Sequence, residues 1–274
     1  MRVLITGAEG QLGRVVQSGF GAHQVVAPRE SELDICDRRQ VEEALDAVRP
    51  DLLLNAAAYT DVDGAESDPE AAFAGNARGP GILAVATAPR GIPILHISTD
   101  YVFDGEAGRP YDERDETGPC TVYGRSKLEG EEAVRQANPR HFVVRTAWLY
   151  AAEGRNFPRT MVELAERPEV RVVNDQFGSP TFAPHLAAGL RELIETGSWG
   201  TYHLAGGGIA SWHEFTVALY RELGIETPVR PVPTSEFPRP ARRPRFSALT
   251  TIQEPRILLP RWEDGLEALV AAIS

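Results

Sequence analysis

Short apolar runs alternate with longer amphipathic stretches through the first half of the chain. "RVLIT" (2–6), "HQVVA" (23–27), "DLLLN" (51–55), "IPILHIS" (92–98) and "HFVVRTA" (141–147) read as strands buried largely on both faces. Between them, 11–19, 37–48, about 68–88 and about 122–137 carry helical spacing. Asp68-Pro69 has the form of a cap followed by proline in the first helical turn. Strand and helix alternating in this way imply right-handed crossovers onto one parallel sheet.

After about residue 150 the rhythm loosens. A helix near 156–167, a strand near 170–173, a loop "NDQFGSPT", a helix near 184–196 and a strand "TYHLA" follow. "TPVRPVPTSEFPRPARRPRF" is rich in proline and arginine and is expected to be extended and irregular, with the apolar "GLEALVAAI" packing back onto the body. Residues 1–150 are therefore expected to form a dinucleotide-binding domain. Residues 151–274 are expected to form mainly a substrate-binding lobe, with segments returning to pack on the first domain.

Composition narrows the function. A net charge of −11 argues against a broad nucleic-acid surface, so a phosphorylated ligand has to be held locally. Two cysteines, Cys36 and Cys120, supply neither a disulfide framework nor a zinc set, and no metal is expected. "MRVLITG" is unlike a secretory signal and no apolar run is long enough to cross a bilayer, so a soluble cytoplasmic protein with no membrane partner is expected. Lys127 is the only lysine; every other cationic side chain outside histidine is arginine. A role that needs a compact ammonium accounts for its retention.

"ITGAEGQLG" sets Gly7, Gly10 and Gly13 between the first strand and the first helix. Glycines there let the backbone approach a pyrophosphate at a helix N-terminus, and position favours that over a plain tight turn. The second strand runs into "APRE", where Arg29 can pair a 2′-phosphate; NADPH is expected, with NADH as the alternative. Asp34 and Ile35 sit where an adenine can lie, although Asp34 equally suits a helix cap. Ala56, Ala57 and Ala58, followed by Tyr59 and Thr60, would let a nicotinamide ribose pass close to the third strand's end. The fold expected is α/β: a Rossmann-like doubly wound parallel sheet with a smaller interleaved substrate-binding lobe.

The fourth strand ends in Ser98, Thr99 and Asp100 at the same edge. In "TVYGRSKLEG", Tyr123 and Lys127 stand at i and i+4 and share a helix face. Reduction of a carbonyl needs a proton donor for the developing alkoxide and a group that polarises the oxygen, which Tyr123 and Thr99 can supply. Ser98 is the alternative hydroxyl if the strand end is one residue off. Lys127 is expected to lower the phenol's pKa and to bond the nicotinamide ribose. Gly124 weakens a helix interior by about 1 kcal/mol relative to alanine, which suggests that something approaches closely there.

"TGAEGQLG", "NAAAYTDVDGAES", "ISTDYVFDG" and "VYGRSKLEGE" together resemble the dTDP-4-dehydrorhamnose reductase family of the extended short-chain dehydrogenase/reductase superfamily, and "RTAWLY" and "NDQFGSPT" are similar to its later motifs. The resemblance implies reduction of the C4 ketone of dTDP-4-dehydro-L-rhamnose by NADPH or NADH, giving dTDP-L-rhamnose. It implies catalytic roles for Thr99, Tyr123 and Lys127, and cofactor contacts at Gly10, Gln11, Leu12, Asp34, Ile35, Ala58, Tyr59 and Thr60. It also implies sugar-nucleotide contacts at Thr99, Asp100, Tyr123 and Trp148, and some relatives are associated with magnesium. Trp148 follows a strand end, where stacking on a sugar or base is expected. Asn156, Asp175 and Gln176 are candidates for the sugar pocket and Arg242 or Arg243 for a diphosphate, each equally open to a structural role. His96 and His203 read as interior histidines.

Two other functions compete. Nucleotide-sugar dehydratases resemble each other in carrying Asp then Glu after the strand-end Thr, whereas Asp100 here precedes Tyr101; epimerases hold NAD tightly, whereas Arg29 suggests an exchangeable NADPH. A non-catalytic regulatory subunit is also similar to this family, but Thr99, Tyr123 and Lys127 are all present. The chain could act as a monomer or a homodimer.

Overall fold

A computed structural model describes residues 1–273. The chain runs β1 (Arg2–Thr6), α1 (Gln11–Gly19), β2 (Gln24–Val26), α2 (Arg38–Val48), β3 (Leu52–Asn55), α3 (Val62–Ser67), α4 (Pro69–Phe73), α5 (Gly79–Thr87), β4 (Ile94–Thr99), α6 (Val122–Ala137) and β5 (His141–Thr146). It continues through β6 (Leu149–Tyr150), α7 (Phe157–Leu164), β7 (Val170–Val173), β8 (Phe177–Gly178), β9 (Thr181–Phe182), α8 (Ala183–Thr196), β10 (Gly200–His203), β11 (Ala210–Ser211), α9 (Trp212–Leu223), β12 (Val229–Val232) and α10 (Trp262–Ile273).

Six strands form one parallel sheet in the order β10-β5-β4-β3-β1-β2. Alternation along each strand divides its apolar side chains between two layers. Val3, Ile5, Leu52 and Leu54 meet Leu12 and Val16 of α1 and Leu186, Leu190 and Leu193 of α8. Leu4, Leu53 and Val143 meet Leu45 of α2, Leu83 of α5 and Val134 of α6. Strands buried on both sides in this way explain the unbroken apolar runs in the sequence. Strand order reverses between β1 and β3, which puts the crevice for a ligand outside their carboxyl ends.

The smaller lobe has its own core. Tyr150, Met161, Val170, Val172, Phe182, Phe215, Leu219, Leu266 and Leu269 cluster there, away from the large sheet. The chain crosses between the two more than once: α8 and β10 belong to the first layer system, whereas α9 and α10 belong to the second.

Several expected elements take a different form. The helix expected over 68–88 begins at Pro69 with Asp68 accepting from Ala71 N at 3.0 Å, but Ala74–Arg78 widens into a π-helical turn before α5. Asp37, not Asp34, caps α2, accepting from Arg39 N and Gln40 N at 2.9 and 3.2 Å. The "NDQFGSPT" loop contributes β8 and β9, and β12 pairs in parallel with β7 inside the stretch expected to be irregular. Pro231 fits that strand because a two-stranded ribbon has free edges. Helices α3 and α9 were not expected. Yet α9 carries a legible start signal, a capping box in which Ser211 Oγ accepts from Glu214 N at 3.1 Å and Glu214 accepts from Ser211 N at 2.7 Å. No helix among the described residues is long and apolar enough to cross a membrane.

Candidate active site

The turn after β1 is built to leave its backbone bare. Gly7 has φ +73°, and a β-carbon there would lie 2.4 Å from Ala57 N, so the first and third strand ends touch through glycine and alanine backbone. A β-carbon on Gly13 would fall 2.1 Å from Gly7 O. Gly10 caps α1 with no side-chain hydrogen bond, which leaves the helix's first N–H groups available to an anion. Asn55 anchors the same crevice from below: its Oδ1 accepts from Thr6 Oγ1 at 2.7 Å and Ala57 N at 3.1 Å, and its Nδ2 meets His96 Nδ1 at 3.0 Å.

The other expected cofactor residues divide. Arg29 is exposed and, among the described residues, its guanidinium forms no salt bridge, so it is free for a phosphate. Asp34 is exposed and accepts from Cys36 N at 2.8 Å. Ala56, Ala57, Ala58 and Tyr59 line the loop after β3 half-buried, with Thr60 exposed. Gln11 instead spans to the second lobe, donating to Leu149 O at 3.0 Å and accepting from Asn156 Nδ2 at 3.2 Å. The Leu12 and Ile35 side chains are core, Ile35 Cδ1 lying where a Gly79 β-carbon would be 2.5 Å away; what these two can offer a ligand is backbone.

Thr99, Tyr123 and Lys127 meet at the end of β4. Thr121 caps α6 by accepting from Gly124 N at 2.9 Å, which sets Tyr123 in the first turn and Lys127 one turn on. Gly124 is needed because the chain after β4 crosses it: a β-carbon would lie 2.2 Å from Tyr101 O. The close neighbour is thus protein backbone. Tyr101 packs edge-on to Tyr123 with ring centres 5.5 Å apart. Thr99 Oγ1 donates to Asp100 Oδ1 at 3.0 Å and accepts from Tyr101 N at 3.2 Å. Ser98 turns the other way and donates to buried Glu131 at 2.6 Å, which removes it as the alternative hydroxyl.

Electrostatics at this edge follow burial. The Tyr123 phenol is pushed up to about 12 by burial, with the Thr99 hydroxyl opposing and the Asp100 charge adding to the rise. This differs from the expected lowering by lysine. The cause is geometric: Lys127, 2% exposed, points its ammonium at Ile97 O at 2.7 Å. Burial pulls that ammonium down to about 8, with Glu131 opposing. Burial likewise raises Asp100 to about 6, with the Ser247 and Thr99 hydroxyls opposing, and its Oδ2 is enclosed.

In the second lobe, polar candidates are already engaged. Trp148, at φ +46°, stacks on Trp212 with ring centres 3.4 Å apart, and Gly178 lies so close that a β-carbon would be 2.3 Å from Trp148 Cε2. Its stacking partner is internal. Asn156 caps α7, Asp175 accepts from Thr234 N at 2.9 Å, and Gln176 bridges Thr234 Oγ1 and Trp212 Nε1 at 3.0 and 3.2 Å. Arg243 forms a bidentate pair with Asp63 at 2.9 and 2.8 Å, and Arg242 pairs with Glu106. His96 and His203 are both buried within β4 and β10. Among the described residues no cluster of three or more His, Cys, Asp or Glu side chains could hold a metal.

Sequence reasoning passed over Asn76. Fully buried in the π-helical turn, it accepts from Tyr59 N at 2.9 Å and donates to Tyr59 O and Ser126 Oγ, both at 3.0 Å, so it ties the loop after β3 to α6. Its signal was a lone asparagine amid the apolar positions of "AAFAGNARG".

Comparison with known proteins agrees with this geometry. The family described as "RmlD substrate binding domain" matches residues 1–274. A dTDP-4-dehydrorhamnose reductase of Sinorhizobium fredii is 40% identical, covering 100% of this chain and 98% of its own. The crystal structure of a dTDP-4-dehydrorhamnose reductase from Clostridium acetobutylicum is 40% identical with a TM-score of 0.96, covering 99% of both chains. That of the Bacillus anthracis enzyme, in complex with NADP, is 38% identical with a TM-score of 0.96, covering 98% of both. By sequence over its whole length and by fold, this chain belongs to the dTDP-4-dehydrorhamnose reductase family.

Proposed function

We propose that the chain reduces the C4 ketone of dTDP-4-dehydro-L-rhamnose to dTDP-L-rhamnose with NADPH. The observation that carries this is the convergence of Thr99, Tyr123 and Lys127 at the carboxyl end of β4, beside a glycine turn suited to pyrophosphate. The relatives' names supply the substrate. When bound, the nicotinamide supplies the hydride.

The protein's part is binding, orientation and proton delivery. Gly7, Gly10 and Gly13, with the Gln11 and Leu12 backbone, receive the pyrophosphate at the start of α1. Arg29 pairs the 2′-phosphate, Asp34 and Ile35 take the adenine, and Ala56 to Thr60 flank the nicotinamide ribose. Tyr123 gives its proton to the C4 oxygen. A phenol held near 12 keeps that proton throughout neutral pH and releases it only to a stronger base, as a developing alkoxide is. Thr99 swings its hydroxyl proton from Asp100 Oδ1 to the same oxygen, and Lys127 bonds the ribose and restores charge balance when the phenolate forms.

Asp100, at the end of β4 beside Thr99, accepts from a sugar hydroxyl, and Trp148 contributes its edge to the sugar-nucleotide pocket. We assign cofactor binding to residues 1–150 and most substrate contacts to the lobe beyond. Two free, exposed thiols, Cys36 and Cys120, suit a reducing cytoplasm. The test is NADPH oxidation with dTDP-4-dehydro-L-rhamnose and identification of the product by NMR. Formation of dTDP-L-rhamnose supports the assignment; pure protein that oxidises no NADPH with this ketone overturns it.

A further inference from the structure

Beneath the catalytic edge stands a carboxylate for which the reaction above has no use. Glu131 lies one turn after Lys127 on α6 and is fully buried. It accepts from Ser98 Oγ at 2.6 Å, from Arg145 Nε and Nη2 at 2.9 and 2.7 Å, and from Arg135 Nη1 at 3.0 Å. Arg145 itself is buried, lies over the Phe103 ring and approaches His203 Nε2 at 3.4 Å.

Stability alone is a weak reason to keep such a cluster, because apolar residues of similar volume often serve as well as a buried ion pair. Its position gives a better one. Helix α6 grips two successive residues of β4 from one face: Lys127 Nζ holds Ile97 O at 2.7 Å, and Glu131 holds the Ser98 hydroxyl. The next residue is Thr99. We propose that Glu131 is a positioning residue for proton delivery, tying the end of β4, the Lys127 turn of α6 and β5 into one buried knot that fixes where the Thr99 hydroxyl and the Lys127 ammonium stand. This rests on the ketoreductase assignment of the same edge.

The charges around Lys127 agree. On its own helix it faces Glu131, which Arg135 pairs in turn; on β4 it faces His96, whose imidazole is held well below its usual range by burial, Lys127 and Arg135; on β5 Arg145 faces Glu131. Burial disfavours the ammonium, and Glu131 is the group that opposes it. Glu131 stays ionised because burial, which raises it, is outweighed by Arg145, Ser98 and Arg135. The Lys127 role needs the protonated form, so loss of Glu131 moves the alkaline limb of kcat/KM to lower pH.

The experiment compares wild type with Glu131→Gln, Glu131→Asp and Ser98→Ala across roughly pH 6 to 10, reading kcat, KM and NADPH affinity by fluorescence. Glu131→Gln is expected to lower kcat about 10-fold, to leave the sugar-nucleotide KM within about 2-fold, and to shift the alkaline limb down. Glu131→Asp, which keeps the charge, returns the limb without the full rate. Ser98→Ala strands no charge and lowers kcat several-fold with the limb in place. A folded Glu131→Gln with the wild-type kcat and limb overturns the proposal. If that variant does not fold, Ser98→Ala at wild-type kcat overturns it. If wild type turns over no ketone, the functional assignment fails, and the knot is then judged by NADPH affinity alone: weaker in Glu131→Gln supports it, unchanged overturns it.

Discussion

The two lobes treat their polar groups in opposite ways. At the sheet edge of the first lobe, among the described residues, the α1 N-terminus carries no side-chain cap and the Arg29 guanidinium forms no salt bridge. In the second, Asn156, Asp175, Gln176 and Trp148 are all committed to partners within the protein, and Arg243 is clasped to Asp63 of α3 in the first lobe. Donors left open on rigid elements act on a ligand without reorganising, which is what transition-state stabilisation requires. Groups already paired have to exchange one partner for another, so part of what they offer a ligand is lost in the exchange. Substitutions in the first lobe should therefore fall on kcat or on cofactor affinity. Those in the second should fall mainly on the sugar-nucleotide KM.

Outside the proton donor itself, the largest effect is expected from Thr99→Val. It removes the hydroxyl we assign to the reacting oxygen, and kcat should fall by roughly 100-fold while NADPH binding holds. Steady-state kinetics with a fluorescence titration separate the two. Next comes pH. Burial raises Asp100 to about 6, and only its ionised form is a pure acceptor for a sugar hydroxyl, so kcat/KM should fall about 10-fold per pH unit well below that value. Asp100→Asn should flatten that limb. Arg29→Ala should raise the NADPH KM by about 10-fold and leave the NADH KM unchanged, as expected for loss of one charge-assisted contact. Arg243→Ala should change the sugar-nucleotide KM by about 3-fold with kcat kept, since a partly exposed pair is worth about 1 kcal/mol or less. A large loss of kcat in Arg243→Ala would erase the contrast between the lobes.

The same contrast governs what could be read from the sequence. Strands such as "DLLLN" and "HFVVRTA" are buried on both faces, so their apolar runs mark them without knowledge of their neighbours. Gly7 and Gly13 were legible because the tight turn after β1 brings backbone to backbone at fixed positions, where a β-carbon would not fit. The second lobe's two-residue strands, β6, β8, β9 and β11, have no period to detect; each exists only through a partner distant in sequence. Burial misled the reading of charge. Proximity of Lys127 to Tyr123 suggested a lowered phenol, but sequence spacing does not show that the ammonium points at Ile97 O or that the site is dry enough to raise it. Glu131 and Asn76 were missed for a related reason. A buried glutamate on an otherwise charged helix and an asparagine in a π-helical turn look like surface residues until the elements around them are assembled.

The central claim is that Tyr123 delivers the proton from an edge already assembled in the first lobe. Its most direct test is Tyr123→Phe against wild type, measuring turnover of dTDP-4-dehydro-L-rhamnose at saturating NADPH together with NADPH affinity. The expected result is a kcat lower by roughly 100- to 10,000-fold with cofactor affinity and folding unchanged. A Tyr123→Phe protein that turns over at the wild-type rate would contradict it.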